Sequence, residues 1–127
     1  MNTHGHISFL WEDDLFIASV EGAFNEEAIA YYTPLLQEAI LTRKHAHWHR
    51  LEIWNSEVLG SPETIAAAKL IYDWYENNGC KRIAVVACNS LQAHVIENIF
   101  NSKAKLFSNV AKARAWLTAQ KVTTDEN

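Results

Sequence analysis

The segment Lys81–Cys88, which reads Lys-Arg-Ile-Ala-Val-Val-Ala-Cys, ends in an uninterrupted apolar run. Residues that favour turns, Gly79 and Asn89, stand on either side of it. A strand that is apolar on both faces is typical of the interior of a parallel sheet. Neighbouring parallel strands need long crossover connections, which are usually helices. The segment therefore predicts an α/β fold in which helices cover a largely parallel sheet.

Four further strands are predicted around this segment. The apolar runs Ile7–Trp11 and Leu15–Phe24 are separated by three acidic residues, which predicts a β-hairpin at the start of the chain. His49–Trp54 and Ala104–Phe107 are also strand-length runs, and each lies between segments with helical spacing of apolar residues. The hairpin makes the first strand antiparallel to its neighbour, so it is expected at an edge of the sheet.

The first two predicted helices carry clear start signals. Asn25 is a favourable N-cap, and the helix that follows contains Pro34, which should kink it or mark a fresh start. Ser61 precedes Pro62, and this pair is typical of an N-cap followed by the first helical residue. The second helix is expected to end near Asn78, before a glycine.

The last two helices are predicted after the central strand and after the final strand. Ser90 is expected to cap the third helix, with Leu91 facing the core, and Ser108 or Asn109 is expected to cap the fourth. The predicted order is ββαβαβαβα in one domain over residues 1–122, with a mainly parallel sheet and four helices. Residues 123–127 are expected to form a disordered tail.

Charge and composition limit the classes of partner. The chain has 127 residues, and eleven Lys and Arg against fifteen Asp and Glu give a formal net charge of −4. Binding to nucleic acid needs clustered positive charge, so nucleic acid is not expected as a partner. No window contains the roughly 20 apolar residues that an integral membrane segment needs. Peripheral contact with a membrane remains compatible with this composition.

The location is predicted from the first residues and from the cysteines. Met1–Ser8 has neither an apolar run nor a basic lead, so no signal peptide is expected. Cys80 and Cys88 flank the predicted central strand and would lie about 26 Å apart, which is too far for a disulfide. Reduced thiols are typical of the cytoplasm. Cys88 is expected to be an inert core residue, because free cysteines are usually buried.

The order of elements, together with two short segments, resembles a known family. Leu51-Glu52-Ile53 lies where this family has a strand that ends in an acidic residue. In Gly79–Val86 a glycine that ends a helix precedes a buried strand. Both features and the element order resemble the STAS and anti-sigma-factor-antagonist family, which has the SpoIIAA-like fold. The resemblance extends over nearly the whole chain. It implies a binding or regulatory module rather than an enzyme.

The resemblance also implies two modes of action. Many members are switched by phosphorylation of a serine at the start of the helix after the third strand, and Ser61 occupies that place. The family signature Asp-Ser-Ser-Gly is replaced here by Leu59-Gly60-Ser61-Pro62. A branch without the signature is associated with apolar or lipid-like ligands, or with peripheral membrane contact. The sequence is more similar to that branch.

The helix predicted over Pro62–Asn78 is the leading candidate for a binding surface. It is apolar over more of its circumference than a helix with one buried side requires. A homodimer contact or a groove for an apolar ligand would cover the additional surface. Together with the preceding loop, the helix supplies the candidate ligand- or partner-binding residues Asn55, Ser56, Ser61, Ile71, Trp74 and Tyr75.

Two clusters could carry other chemistry. His45, His47 and His49 would share one face of an extended segment and could bind a metal ion, although about 6–7 Å separates successive ligands. A solvated connector rich in histidine explains the same pattern. Cys88 could act as a nucleophile with His94 as its base, at the end of a strand where α/β sheets often bind ligands. Ser61 also has two interpretations: it is either a helix N-cap alone or a site of phosphorylation.

Motifs for common enzyme chemistry are absent from the sequence. It has no glycine-rich phosphate loop, no Gly-x-Ser-x-Gly, no Cys-x-x-Cys and no His-Glu-x-x-His. We therefore predict a non-catalytic module without a cofactor, which binds a partner protein or an apolar ligand. The alternatives are an antagonist regulated by phosphorylation at Ser61, and a small enzyme or metal protein using Cys88 and His94 or the histidines between His45 and His49.

Overall fold

Strands and helices alternate in the computed structural model, which describes residues 5–43, 45–58, 61–99 and 104–121. The predicted order ββαβαβαβα is confirmed. The predicted tail over residues 123–127 lies outside the described residues. The elements are β1 (His6–Glu12), β2 (Leu15–Glu21), α1 (Glu26–Arg43), β3 (Trp48–Trp54), α2 (Pro62–Asn77), β4 (Cys80–Val86), α3 (Ser90–Ile99), β5 (Ala104–Phe107) and α4 (Val110–Lys121).

The described strands form one sheet in the order β1-β2-β3-β4-β5. β1 pairs with β2 in an antiparallel arrangement, and each of the other neighbouring pairs is parallel. The tight turn between β1 and β2 places Asp13 at a φ of 54°, a left-handed conformation that a short polar side chain tolerates. The mainly parallel sheet with an antiparallel edge strand is therefore confirmed.

Helices cover the sheet on both faces. Phe16, Arg50 and Ile83 stand side by side on β2, β3 and β4, and their face packs against α1, α2 and α3. The next residue along β3, Leu51, points to the opposite face and packs against Leu117 of α4. Successive side chains of a strand alternate between faces, so each strand contributes to both cores. We call the side covered by α1, α2 and α3 the three-helix face.

Asparagine side chains begin three of the helices. Asn25 and Asn109 each accept a hydrogen bond from a backbone N–H of the first turn that follows, as predicted. The third helix differs from the prediction, because Asn89 and not Ser90 is its cap. The Oδ1 atom of Asn89 accepts a hydrogen bond from the Gln92 N–H at 2.9 Å, and Ser90 is the first helical residue.

The inward side of α3 is also different from the prediction. Leu91 was expected in the core, but 57% of its surface is exposed. Gln92 takes an inward position instead, with only 1% of its surface exposed. Its side chain bonds the N–H of Cys88 and the carbonyl oxygens of Asn55 and Val58. A glutamine is buried here because it pairs with three loop groups that would otherwise be buried without partners.

The expectation for Cys88 is corrected, and one of the two alternatives for Pro34 is excluded. Cys88 is exposed and Cys80 is buried, which reverses the expectation that Cys88 is a core residue. The reason is that β4 ends at Val86, so Cys88 falls in the turn before α3. The helix α1 runs through Pro34 without a fresh start. Pro34 lies on the exposed side of α1, where its missing N–H removes one hydrogen bond and no core contact.

Candidate functional site

Polar side chains occupy the centre of the three-helix face. Arg50, Glu52 and Trp54 alternate along β3, so they point to the same side, and each is at least nine-tenths buried. Tyr72 and Tyr75 of α2 pack over them and are also buried. We call these five residues the polar cluster. Charged groups are rarely buried in a protein core unless they are paired, so the contacts within the cluster decide what it can do.

The Glu52 carboxylate is the centre of the cluster. Its Oε1 atom accepts hydrogen bonds from Arg50 Nε at 3.1 Å and from Arg50 Nη2 at 2.8 Å. Its Oε2 atom accepts one from Trp54 Nε1 at 2.6 Å and one from the hydroxyl of Tyr72. A carboxylate offers about four acceptor positions, and these four donors use them. Glu52 is therefore held as a saturated acceptor.

Arg50 is less completely paired than Glu52. Only 2% of its surface is exposed, and its Nη1 atom has no hydrogen-bond partner among the described residues. The guanidinium lies over the ring of Tyr75, 4.3 Å from the centroid, and 5.4 Å from that of Phe16. Aromatic faces attract a cation, but they do not replace a hydrogen-bond acceptor. The buried Nη1 group of Arg50 therefore has no hydrogen-bond acceptor among the described residues.

Burial and charge shift the pKa values in the cluster. Burial disfavours the Arg50 charge, but Tyr75 and Glu52 favour it more strongly, so the pKa of Arg50 stays above its ordinary value. Burial raises the pKa of Tyr75 to about 12. Burial also raises the pKa of Tyr72 well above its ordinary value, and the neighbouring Glu52 adds to this shift. Both phenols are therefore neutral in the native protein at ordinary pH.

These shifts predict a loss of stability in alkali. The Tyr75 phenol ionises near 10.0 when unfolded and at about 12 when folded, so the unfolded state loses its proton first. Between these values the free energy of unfolding should fall, by about 3 kcal/mol for this one group. Urea unfolding followed from about pH 9 to about pH 12 measures the fall.

A matched pair of variants assigns the alkaline effect. Tyr75→Phe should reduce the fall in stability between these pH values, although it also changes stability at neutral pH. Tyr31→Phe removes a phenol that is 49% exposed, and it is the matched control for the loss of a hydroxyl group. The assignment to Tyr75 would be wrong if the profiles of Tyr75→Phe and the wild type ran parallel.

An apolar pocket lies against the polar cluster. It is lined by residues of the sheet, α1 and α2, together with Val95 of α3, and has a volume of about 90 Å³. A single water needs only about 10–15 Å³, so the pocket has room for a small ligand or for one end of a longer one. All members of the polar cluster line it, together with apolar residues that include Val20, Phe24, Leu36, Ala68 and Ile71. Apolar walls with a few fixed polar groups are typical of small-molecule sites.

Some of the predicted binding residues meet at this pocket. Ile71 and Tyr75 line it, whereas Trp74 is half-buried and packs edge-on against Tyr75, with ring centroids 6.0 Å apart. Asn55 fixes the loop after β3, because its Oδ1 atom accepts hydrogen bonds from two backbone N–H groups. Ser56 is exposed on that loop. The structure therefore brings Ile71 and Tyr75 together and places the two loop residues outside the pocket.

Ser61 is the N-cap of α2. Its Oγ atom accepts a hydrogen bond from the Thr64 N–H at 3.2 Å and also pairs with the Thr64 hydroxyl. Ser61 is exposed, and Thr64 is buried and lines the pocket. The predicted capping role is thus present, and the hydroxyl contacts a residue of the pocket wall.

The histidine cluster is not assembled as a metal site. His49 is buried in β3, His47 is exposed, and His45 packs against Trp11 and lies 3.0 Å from the carbonyl oxygen of Asp13. Within residues 5–43, 45–58, 61–99 and 104–121, no three His, Cys, Asp or Glu side chains come close enough together to hold a metal ion. The three histidines were expected on one face of an extended segment. However, β3 begins at Trp48, so His45 and His47 precede the strand.

Cys88 and His94 lie near the carboxyl end of β4. The Cys88 thiol is exposed and donates a hydrogen bond to the carbonyl oxygen of Trp54 at 3.0 Å. His94 is exposed on α3. The thiol is thus engaged with the backbone at the end of β3.

The Arg50–Glu52 pair is the feature that sequence analysis missed. The signal was present, because two opposite charges stand two residues apart in a segment that also contains Leu51 and Ile53. Residues at this spacing lie on one face of a strand. In a strand covered on both faces, two such charges must be buried together and paired. The same reasoning applies to any buried strand with this pattern.

None of the helices within the described ranges is both long enough and apolar enough to cross a membrane.

Comparisons with known proteins agree with this architecture. A family model described as SpoIIAA-like matches residues 15–118. The crystal structure of an uncharacterized protein from Shewanella loihica, described as having a SpoIIAA-like fold, is similar with a TM-score of 0.63 and 25% sequence identity. The match covers 92% of this chain and 97% of that protein. A search of curated proteins gives no match.

Proposed function

The chain belongs to the SpoIIAA-like family, and on that basis we propose that it is a non-catalytic binding module whose pocket holds a small apolar molecule. The observation that carries this proposal is the pocket of about 90 Å³ between the sheet, α1 and α2. An apolar ligand there would leave water, and this transfer is the main source of affinity in such sites.

The state of the polar cluster supports binding rather than catalysis. A general base needs a free lone pair within reach of the substrate. The four donors on Glu52 leave it none, and Tyr72 and Tyr75 have raised pKa values that keep them protonated. The cluster is thus suited to shaping and rigidifying the pocket wall.

Docking of a partner protein is the second function that we propose. Leu70 on the outer side of α2 is 72% exposed, and Tyr31 and Leu35 of α1 are 49% and 41% exposed. Exposed apolar side chains on neighbouring helices are typical of contact surfaces, including homodimer contacts.

Phosphorylation of the exposed Ser61 would add charge at the start of α2 and could regulate either kind of binding. The exposed Cys88 thiol supports a reducing compartment such as the cytoplasm.

Filling the pocket tests the first proposal. Ala68 lines the pocket, so Ala68→Phe should place an aromatic ring in the ligand volume. Ala66 is exposed on the same helix, so Ala66→Phe makes the same chemical change outside the pocket. We expect Ala68→Phe to weaken binding of the fluorescent apolar probe 1-aminoanthracene by about tenfold or more, an effect of about 1.4 kcal/mol. Ala66→Phe should bind it like the wild type.

The measurement is a fluorescence titration at fixed protein concentration. Circular dichroism and urea unfolding must show that both variants are folded, because overpacking can destabilise a core by about 1–3 kcal/mol. Equal affinity of the probe for the wild type and a folded Ala68→Phe protein would show that it binds elsewhere, and the proposal would fail.

A further inference from the structure

The unpaired donor of Arg50 constrains the chemistry of a ligand in the pocket. Arg50 lines the pocket and is 2% exposed, and its Nε and Nη2 atoms are used by Glu52. Its Nη1 atom has no hydrogen-bond partner within the described part of the chain. A buried donor without an acceptor is unfavourable, and an acceptor supplied by a ligand would remove that penalty.

Most of the other polar side chains of the pocket wall have hydrogen-bond partners of their own. All four acceptor positions of Glu52 are used. The Thr33 hydroxyl donates to the Ile29 carbonyl oxygen at 2.7 Å, and the Thr64 hydroxyl pairs with that of Ser61 at 3.0 Å. A donor group on a ligand would therefore compete with these existing bonds, whereas an acceptor group that reaches Arg50 Nη1 would pair its open N–H.

The charge balance distinguishes between kinds of acceptor. The Arg50 and Glu52 charges cancel, with Arg50 Nη2 and Glu52 Oε1 2.8 Å apart. A ligand carboxylate would bring a second negative charge beside Glu52, in a site where an additional charge is poorly solvated. A carbonyl oxygen accepts the same hydrogen bond without adding net charge. The pocket thus favours a neutral acceptor over an anion.

We propose that the pocket selects a neutral apolar molecule with a carbonyl oxygen, to which Arg50 Nη1 donates a hydrogen bond. This inference rests on the proposed function, because it assumes that the pocket holds an apolar ligand. It adds the class of ligand: an apolar body that carries a ketone-like or ester-like oxygen and no charge. The apolar pocket walls contact the hydrocarbon part of the ligand, and Arg50 donates a hydrogen bond to its carbonyl oxygen.

Four small compounds test this selectivity. Acetophenone, 1-phenylethanol and ethylbenzene share one carbon skeleton and carry a carbonyl, a hydroxyl and no polar group, and benzoate carries a charge. Each is used to displace 1-aminoanthracene from the wild-type protein. We expect acetophenone to displace it at a concentration about tenfold lower than ethylbenzene, since a hydrogen bond to a charged group has an effect of this size. The hydroxyl compound should be intermediate, and benzoate should be the weakest.

The tryptophan indoles report where the compounds bind. The Trp54 N–H donates to Glu52 in the polar cluster, whereas Trp116 packs against Phe107 on the side of the sheet covered by α4. In the nitrogen-15 NMR spectrum, acetophenone should shift the Trp54 indole signal and leave that of Trp116 in place. Shifts at both positions, or at Trp116 alone, would overturn the placement of the ligand.

The outcomes separate this inference from the proposed function. If ethylbenzene and acetophenone displace the probe equally well and Ala68→Phe abolishes binding, the pocket binds apolar ligands and the role of Arg50 is wrong. Tightest binding by benzoate would also overturn the inference, because the site would then be selective for anions. If no compound displaces the probe and Ala68→Phe has no effect, the proposed function fails and the inference with it.

Discussion

Replacement of Glu52 by glutamine is expected to lower the free energy of unfolding by about 3–5 kcal/mol, the usual cost of breaking a buried ion pair from one side. Glutamine has almost the same shape, so the change creates no cavity. It leaves the Arg50 charge buried without its counter-ion, and its NH₂ group faces donors from Trp54 or Arg50. Urea unfolding of Glu52→Gln against the wild type measures the loss.

A second ion pair of similar length provides the control. Glu12 lies 2.9 Å from Arg114, but both side chains are close to half exposed. An exposed pair contributes about 0–1 kcal/mol, so Glu12→Gln should have little effect on stability. Losses of similar size in Glu12→Gln and Glu52→Gln would contradict the role given to burial. A near-neutral Glu52→Gln would show that the polar cluster does not hold the three-helix face together.

Trp48→Ala is expected to have an effect of similar size. Trp48 is 1% exposed, and its ring packs edge-on against Phe16 and Tyr75. Its Nε1 atom donates to the carbonyl oxygen of Asn78 at 2.8 Å, which ties β3 to the end of α2. Truncation of a buried tryptophan usually costs about 3–5 kcal/mol, because apolar contacts are lost and a cavity remains. Thermal and urea unfolding of the variant would measure this loss.

Trp74 is the matched control for Trp48. It also packs edge-on against Tyr75, but it is only half-buried on α2. Trp74→Ala should therefore lower the free energy of unfolding by clearly less than Trp48→Ala does. The reverse order would contradict the assignment of Trp48 to the core and of Trp74 to its edge.

Much of the fold could be predicted because its signals are local. The central strand is an apolar run, and the start of α2 is specified by Ser61 and Pro62, which lie side by side in the sequence. The glycine after α2, Gly79, adopts a φ of 100°, a conformation that favours glycine at the end of a helix. Each of these signals needs only a few neighbouring residues, so no knowledge of tertiary contacts is required.

The burial of single side chains was predicted wrongly where it depends on the exact residue at which a helix or strand begins or ends. Asn89 and Ser90 are both good caps, and a shift of one residue exchanges Leu91 for Gln92 at the core. The end of β4 was placed two residues too late, and this decides whether Cys88 belongs to the strand or to the following turn. A helix turns by about 100° per residue, so an error of one position changes which side chain is buried.

The candidate site was only partly predictable for a different reason. Ile71 and Tyr75 were identified from the apolar surface of α2, and both line the pocket. The pairing of Arg50 with Glu52 lies within β3 and had a local signal, whereas the pairing of Glu52 with Tyr72 joins β3 to a helix residue twenty positions later in the chain. Helical spacing shows which side of α2 is apolar, but it does not show which strand residues that side covers.

Native mass spectrometry tests the central claim, a ligand pocket between α1, α2 and the sheet, most directly. The wild type, Ala68→Phe and Ala66→Phe are each mixed with an organic extract of the cells that produce the protein, and their native and denatured masses are compared. The wild type and Ala66→Phe are expected to carry an added small-molecule mass that is lost on denaturation, and a folded Ala68→Phe protein should have the bare mass. The same added mass on all three proteins, or on none of them, would contradict the claim.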